Sequence, residues 1–228
     1  MNAGSVTGIP FEPFQALADG TRIRLDLLGR PDRDDLLVGF ADLSRRSRYL
    51  RFFSAMPRLH DALLAKLLDT DGDRHVAIGA RTILPDGHVE ARIVGVARYF
   101  VPEGEDDTVE PAVAVVDALH GLGLGRILLG ALTRYARAHG VTTMRAHALA
   151  DNTRIRHILA ASRGVLVDRD GPVLIYDVDI RPRGRSADRP TCRDLVAAGA
   201  ASAHAFEAGL EREVNHGRQI QRQQLRDE

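Results

Sequence analysis

The architecture of this chain is set by one stretch, Val113-Ala114-Val115-Val116-Asp117-Ala118-Leu119-His120-Gly121-Leu122-Gly123-Leu124-Gly125-Arg126. A β-branched run gives way to three glycines at a spacing of two, and the apolar-periodic segment Ile127 to Ala136 follows at once. This order predicts a strand, a glycine turn and a helix. Glycines let the backbone approach a ligand closely and adopt positive φ. Because the first turn of a helix also presents unpaired N–H groups, the stretch predicts an anion site, most naturally for a phosphate or pyrophosphate.

Composition narrows the class of protein. The chain has 228 residues, 44% hydrophobic and 27% charged, and its formal net charge is zero. These are values of a globular protein, and they point to neither nucleic acid nor an anionic membrane as a partner. Cys192 is the single cysteine, so an intrachain disulfide and a cysteine metal cluster are ruled out. With no signal-like N-terminus and no apolar run of spanning length, we expect a soluble cytoplasmic protein without a metal.

Hydrophobic periodicity along the chain predicts a mixed α/β single domain. We expect a loose lead-in over residues 1–19, the domain over 20–180, and a linker with a C-terminal helical tail over 181–228. Predicted strands are Thr21 to Leu27, His75 to Ala80, Ala91 to Phe100, Thr108 to Val116, Thr142 to Ala148, Val165 to Val167 and Pro172 to Val178. Five helices are predicted. The first begins after Pro31, the second spans about Leu59 to Leu68, and the third runs from the glycine turn to a C-cap at Gly140. The last two span Arg154 to Ser162 and Asp194 to Val214.

Three interpretations of the glycine turn compete. A dinucleotide fold requires G-x-G-x-x-G, usually in a first βαβ unit, whereas this chain has G-x-G-x-G after a predicted hairpin. A P-loop requires a lysine and a hydroxyl after the last glycine, and Arg126-Ile127 does not supply them. The third interpretation is an acyl-CoA site, with the CoA pyrophosphate on the turn and pantetheine along the preceding strand.

The motifs resemble those of the GNAT superfamily of acyl-CoA-dependent N-acyltransferases over roughly Thr21 to Asp179. His120-Gly121-Leu122-Gly123-Leu124-Gly125 matches the family pattern Q/R-x-x-G-x-G/A except at the first position, and Leu149-Ala150-Asp151-Asn152 opens the next helix. Ser47 to Phe53 and Val109-Glu110 resemble bacterial protein lysine acetyltransferases of the Pat type. The resemblance implies a GNAT-like α/β fold with a mixed sheet, splayed between the strand of Glu110 and the strand of Thr142, and acyl-CoA in the cleft.

The same resemblance implies the cofactor contacts. The backbones of Val113, Ala114 and Val115 would bind the pantetheine amides, and Asn152 would hydrogen-bond the pantetheine arm, although it serves equally well as a helix N-cap. The turn residues would hold the pyrophosphate: His120, Gly121, Leu122, Gly123, Leu124, Gly125 and Arg126. A plain tight turn and a solvated arginine are the alternatives.

Glu110 is the candidate general base. An amine with a pKa of about 10 is mostly ammonium at neutral pH and must lose a proton before it attacks a thioester. A carboxylate in the cleft can take that proton. The alternative is a glutamate at the solvent end of an edge strand, which Pro111 favours because it lacks an N–H.

Two other positions depart from the family pattern. A tyrosine that protonates the leaving thiolate in many members is replaced here by Leu159, and Tyr176 is the only tyrosine in that region. In this family the segment of Arg45, Arg46, Arg48 and Arg51 forms one wall of the cleft that binds the acceptor substrate, and Arg48 and Tyr49 are candidate substrate contacts. The four arginines would attract an acidic protein face, and a solvated helix end is the alternative.

Two hypotheses for the function follow. The first is an acetyl-CoA-dependent N-acetyltransferase that acts on a protein lysine, or on a small-molecule amine, by direct transfer in a ternary complex. The second is a non-catalytic acyl-CoA-binding or regulatory module, motivated by Pro111, His120 and Leu159.

Overall fold

A computed structural model describes residues 9–52, 56–150, 156, 159, 160 and 162–182. Eight strands form one sheet in the order β1-β2-β3-β4-β5-β6-β8-β7. The strands are β1 Phe14–Ala16, β2 Arg22–Leu27, β3 His75–Ile83, β4 Val89–Phe100, β5 Thr108–Val115, β6 Thr143–Leu149, β7 Val165–Asp170 and β8 Val173–Asp179. The helices are α1 Arg33–Ala41, α2 Arg45–Phe52, α3 Asp61–Leu68 and α4 Leu124–Ala138. The predicted mixed α/β class is therefore confirmed.

The sheet is antiparallel except between β5 and β6. These two strands run parallel and pair only at Thr108 with Thr143 and at Val109 with Met144. Beyond Val109, β5 stays paired with β4 while β6 stays paired with β8. The sheet therefore splays into a cleft between β5 and β6, as the family resemblance implies.

Helices cover both faces of the sheet. On one face α4 packs against β4 so closely that a Cβ added at Gly95 would lie 2.9 Å from Leu128 Cδ1. On the other face α1 lies on the same strand, where a Cβ at Gly39 would come within 2.0 Å of the Ile93 carbonyl oxygen. Glycines at both contacts let helix and strand approach closely. The core is thus centred on β3, β4 and β5.

The N-terminal segment differs from the predicted loose lead-in. It contains β1, which pairs with β2, and it buries Phe11 and Leu17. The Ala18 N–H also donates to the Leu122 carbonyl at 3.1 Å. Residues 9–19 are therefore part of the domain, and they brace the glycine turn.

The helices bear out most of the sequence predictions. The C-cap of α4 is His139 rather than the predicted Gly140, which follows it with a φ of +83° in the left-handed position that commonly ends a helix. The basic segment that begins at Arg45 forms a helix, α2, which the sequence analysis does not assign. Of the helix predicted over Arg154 to Ser162, residues 156, 159 and 160 are described as helical. The helix predicted over Asp194 to Val214 lies outside the described residues.

Candidate active site

The free edge of β5 forms one side of the cleft. The Val116 N–H donates to the Val94 carbonyl at 3.0 Å. In the antiparallel register of β4 and β5, every second residue before Val116 therefore has its backbone N–H and C=O directed to β4. Glu110, Ala112 and Ala114 accordingly direct their backbone groups to β4. The backbones of Val113 and Val115 face the cleft, where they could meet the amides of an extended ligand, but that of Ala114 does not.

The same alternation accounts for Pro111. Its nitrogen faces the cleft rather than β4, so the missing N–H removes no bond from the β4–β5 ladder. Proline is tolerated at such an edge. The departure from the family pattern at this position therefore leaves β5 intact.

The glycine turn has the geometry of an anion cradle. Gly121 and Gly123 have φ values of +81° and +91°, a region that favours glycine, and Gly123 is the N-cap of α4. The first backbone bond into α4 is from the Ile127 N–H to the Gly123 carbonyl at 3.1 Å. Within the described part of the chain, the N–H groups of residues 121–126 donate to no backbone carbonyl. They are available to a phosphate, together with the positive end of the α4 dipole.

His120 closes the turn against β5. Its Nε2 lies 2.9 Å from the Val115 carbonyl oxygen, which can only accept, so Nε2 carries the proton. Its Nδ1 lies 4.0 Å from the Asp117 carboxylate. His120 is half-exposed and so can still face a phosphate, and Arg126 is half-buried on the first turn of α4.

Asp117 links the turn to α2. Its carboxylate accepts from the Ser44 N–H, the Ser44 hydroxyl and the Ser47 hydroxyl, each at 2.8 Å. Burial alone would raise the pKa of Asp117, but these donors outweigh it and hold the pKa below its ordinary value. The acceptor-side helix is therefore anchored to the start of the glycine turn.

Glu110 stands where β5 and β6 part. It follows Val109, the last residue of β5 paired with β6, and its side chain is 25% exposed. The Nε2 atom of His147 lies 3.5 Å from Glu110 Oε1. His147 is not among the residues predicted from the sequence, because only the register between β5 and β6 brings it to Glu110. The visible signal is a histidine in a strand predicted to border the cleft.

An apolar pocket adjoins this face of the sheet. Phe40, Phe52 and Ala114 contribute to its lining, and so do two buried arginines, Arg51 and Arg98. Arg98 donates to the Leu67 carbonyl at 2.8 Å. Burial, reinforced by the charge of Arg51, lowers the pKa of Arg98 to about 9.

Two of the arginines proposed for the acceptor side, Arg48 and Arg51, are held within the fold. Arg48 donates from Nε to the Leu43 carbonyl, from one terminal nitrogen to Pro57 and from the other to Ala41, at 2.9, 2.6 and 2.8 Å. Its guanidinium is thus bound to three backbone carbonyls, and its contact with a substrate stays a prediction. Arg51 is also removed from the surface, with 7% exposure.

The remaining acceptor-side candidates stay at the surface. Arg45, Arg46 and Tyr49 are exposed on α2. Leu159 is fully buried, and Tyr176 points to the sheet face opposite Glu110, because it alternates with Ile175, the partner of His147. Asn152 lies outside the described residues.

Two further features of the described residues concern metal binding and membrane crossing. Among the residues described, no group of three or more histidine, cysteine, aspartate or glutamate side chains could hold a metal ion. No helix in the described ranges has the length and apolar character needed to cross a membrane.

A fold with this splayed sheet and this turn defines a class of acyl-CoA-dependent transferases, and comparison with known proteins agrees. The model of the Acetyltransferase (GNAT) family matches residues 42–164. The chain belongs to the GNAT family of acetyltransferases, whose cosubstrate is acetyl-CoA.

Individual relatives are similar over most of the domain. Acetyltransferase PA5475 of Pseudomonas aeruginosa is 31% identical over 147 residues, which cover 64% of this chain and 77% of that protein. Acetyltransferase Pat of Mycolicibacterium smegmatis is 32% identical over 152 residues, 66% of this chain; the match spans 44% of that longer protein. The crystal structure of the GNAT domain of S. lividans PAT superposes with a TM-score of 0.63 at 22% identity, covering 73% of this chain and 95% of that domain. This last likeness shows the fold.

Proposed function

We propose that the protein transfers the acetyl group of acetyl-CoA to a primary amine, foremost a protein lysine, by direct attack in a ternary complex with Glu110 as general base. The observation that carries this proposal is the position of Glu110 at the apex of the cleft between β5 and β6. A carboxylate there lies beside the point at which an acyl group in the cleft and an amine from the helical face would meet.

The cofactor placement rests on the turn and the free edge of β5. The N–H groups of residues 121–126 would bind the CoA pyrophosphate, and His120 and Arg126 would flank it. Pantetheine would extend along the backbones of Val115 and Val113. From Val115 back to Glu110 the strand spans about 17 Å at roughly 3.3 Å per residue, a length that suits an extended pantetheine arm. Asn152 is proposed as a further contact to that arm.

The chemical step balances without a covalent enzyme intermediate. Glu110 takes a proton from the acceptor ammonium, and the freed amine nitrogen attacks the thioester carbonyl carbon. The C–N bond forms, the C–S bond breaks, and CoA leaves as a thiolate. The second proton of the amine nitrogen then passes to that thiolate or to solvent, which leaves the neutral amide and CoA. Positioned base catalysis of this kind is typically worth about 10²- to 10⁴-fold.

The choice of a protein lysine as acceptor rests on the resemblance to Pat-type enzymes and on the surface of α2. Arg45 and Arg46 are exposed beside Tyr49, so the acceptor side presents positive charge and an aromatic ring to a macromolecule. Such a surface suits an acidic face around the target lysine. The proposal places the protein in the cytoplasm, which the single cysteine, Cys192, supports.

Turnover with defined acceptors tests this function. Thiol release from acetyl-CoA is measured with a panel of lysine-bearing proteins, with a panel of free amines and amino acids, and with no acceptor. We expect turnover with proteins and a large loss in Glu110→Gln. The matched control is Glu103→Gln, which makes the same change at an exposed loop residue.

Each other outcome changes the assignment. Turnover with free amines alone would make the protein a small-molecule N-acetyltransferase. Acetyl-CoA binding by calorimetry without turnover on either panel would favour a non-catalytic acyl-CoA-binding module. Absence of binding would reject the cofactor site itself.

A further inference from the structure

Glu110 has a neighbour that the function above does not use. Residues Glu110 on β5 and His147 on β6 extend to the same face of the sheet, because Thr108 pairs with Thr143 and side chains alternate along both strands. His147 is 9% exposed. Its Nε2 atom is buried and lies 3.5 Å from Oε1 of Glu110. In the described part of the chain this nitrogen has no hydrogen-bond partner.

A buried imidazole nitrogen without a partner is costly, so it marks an interaction that the resting geometry leaves incomplete. A separation of 3.5 Å exceeds that of an ordinary N–H···O bond, which is near 2.9 Å. Catalytic hydrogen bonds are often long in ligand-free structures and tighten when the reacting complex forms. A small side-chain rotation by either residue would close this gap.

We propose that His147 is a positioning residue for Glu110: its Nε2–H donates to Oε1 and thereby directs Oε2 to the acceptor ammonium. This inference rests on the proposed role of Glu110 as base. It requires the tautomer of His147 that carries its proton on Nε2.

The charged groups around His147 favour this assignment. Arg145 projects to the same face, two residues before His147 on β6, but Asp177 on β8 binds it with two hydrogen bonds of 2.8 and 2.9 Å. Arg145 also forms an ion pair with Glu105, at 2.5 Å. Arg98, on β4, donates to the Leu67 carbonyl. Among the described residues, His147 is the charged or polar side chain that approaches the Glu110 carboxylate, at 3.5 Å.

The chemistry explains why a neutral donor suits this position. A fixed positive charge beside a carboxylate favours its ionised form and makes it a weaker base. A neutral imidazole N–H orients the carboxylate with a smaller loss of basicity. Histidine therefore supplies direction to the base while leaving it able to accept a proton.

A double-mutant cycle tests the coupling. The single variants are His147→Leu, which removes the donor, His147→Gln, which keeps an N–H donor, and Glu110→Gln. The double variant combines His147→Leu with Glu110→Gln. We expect His147→Leu to lower kcat by about ten- to a hundredfold, the range of a hydrogen bond to a charged group, with the KM for acetyl-CoA unchanged. His147→Gln should restore most of kcat, and the acidic limb of the pH–rate profile should move in His147→Leu.

The decisive comparison is made in the Glu110→Gln background. If His147 acts through Glu110, His147→Leu has no further effect there. An equal loss of kcat in both backgrounds, or no loss in the wild-type background, would overturn the inference. Unchanged turnover in Glu110→Gln alone would instead reject the proposed base, so the two failures are distinguishable.

A measurement on the unaltered protein covers the case in which the leucine variant does not fold. Nitrogen-15 NMR of labelled histidine side chains reports which ring nitrogen is protonated. We expect the Nε2–H tautomer for His147 in the complex with acetyl-CoA. Observation of the Nδ1–H tautomer would contradict the proposal.

Discussion

His75 at the start of β3 is a buried histidine outside the active site. Its ring stacks on Phe100 with centroids 3.9 Å apart, and its Nδ1 lies 3.0 Å from the Asp69 carbonyl oxygen. Burial, followed by the charge of Arg98, lowers the pKa of His75 from its ordinary 6.5 to about 4. The folded protein therefore holds this imidazole neutral at a pH where the unfolded chain would protonate it.

We predict that His75 makes stability depend on pH between 6.5 and about 4. As the pH falls through this window, His75 becomes protonated in the unfolded state but stays neutral in the folded state, so the free energy of unfolding decreases. The loss between pH 7 and pH 5 should be about 2 kcal/mol. Urea denaturation at the two pH values measures it. His75→Phe, which keeps an aromatic ring on Phe100, should lose this part of the difference.

The control for this prediction is His88→Gln, at an exposed histidine of the β3–β4 hairpin. It should keep the wild-type difference between pH 7 and pH 5. An undiminished difference in His75→Phe would show that other groups cause the pH dependence.

Single residues also show what the sequence could and could not predict. Glu110 is found from its motif and its place before the glycine turn, and the fold puts it at the apex of the cleft. His147 is found only from the register of β5 and β6, a relation between segments far apart in sequence. Arg48 is predicted as a substrate contact from the family resemblance, and its three backbone acceptors are found only in the fold, because tertiary packing gathers them.

At the scale of elements, the unit formed by β5, the glycine turn and α4 organises the cofactor side. Its free N–H groups depend on the backbone of Gly121 and Gly123, both in the left-handed region. A Cβ at Gly123 would meet no atom within 4 Å, so its requirement for glycine comes from conformation rather than space. An alanine there costs roughly 1–2 kcal/mol and tilts the N–H groups.

We predict that Gly123→Ala weakens acetyl-CoA binding by at least about tenfold, because it disturbs N–H groups aimed at the pyrophosphate. Isothermal calorimetry measures this. The matched control is Gly87→Ala in the β3–β4 hairpin, where φ is +85° and the added Cβ also meets nothing within 4 Å. Both variants should lose similar stability, but only Gly123→Ala should lose affinity. Equal affinities would show that the turn does not hold the cofactor.

The helix α2 shows a signal that the sequence analysis leaves unused. The Ser44 hydroxyl accepts from the Ser47 N–H at 3.1 Å, which is the geometry of a helix N-cap. The pattern Ser-x-x-Ser before Arg48 is visible in the sequence. Its anchoring by Asp117, far along the chain, is not, because that contact forms only when the turn folds against α2.

At the scale of the whole molecule, the strands and the mixed class follow from periodicity, while the topology carries the function. The alternating pattern of β2 reflects one buried face, whereas β3 is buried on both faces and is identified by a nearly continuous apolar run. The short strand β1 has too few residues for a periodic signal, and it is defined by its pairing with β2. The splay between β5 and β6 is implied by family resemblance, because no local pattern states where two strands stop pairing.

In the proposed mechanism, the cleft presents bound acetyl-CoA to an amine that Glu110 has deprotonated. The most direct test is a single-turnover measurement with enzyme in excess over labelled acetyl-CoA, so that all cofactor is bound before the acceptor protein is added. We predict rapid transfer of label to lysine in the wild-type protein, and transfer slowed by about 10²- to 10⁴-fold in Glu110→Gln with acetyl-CoA affinity unchanged. Equal transfer rates in the two proteins would contradict this account.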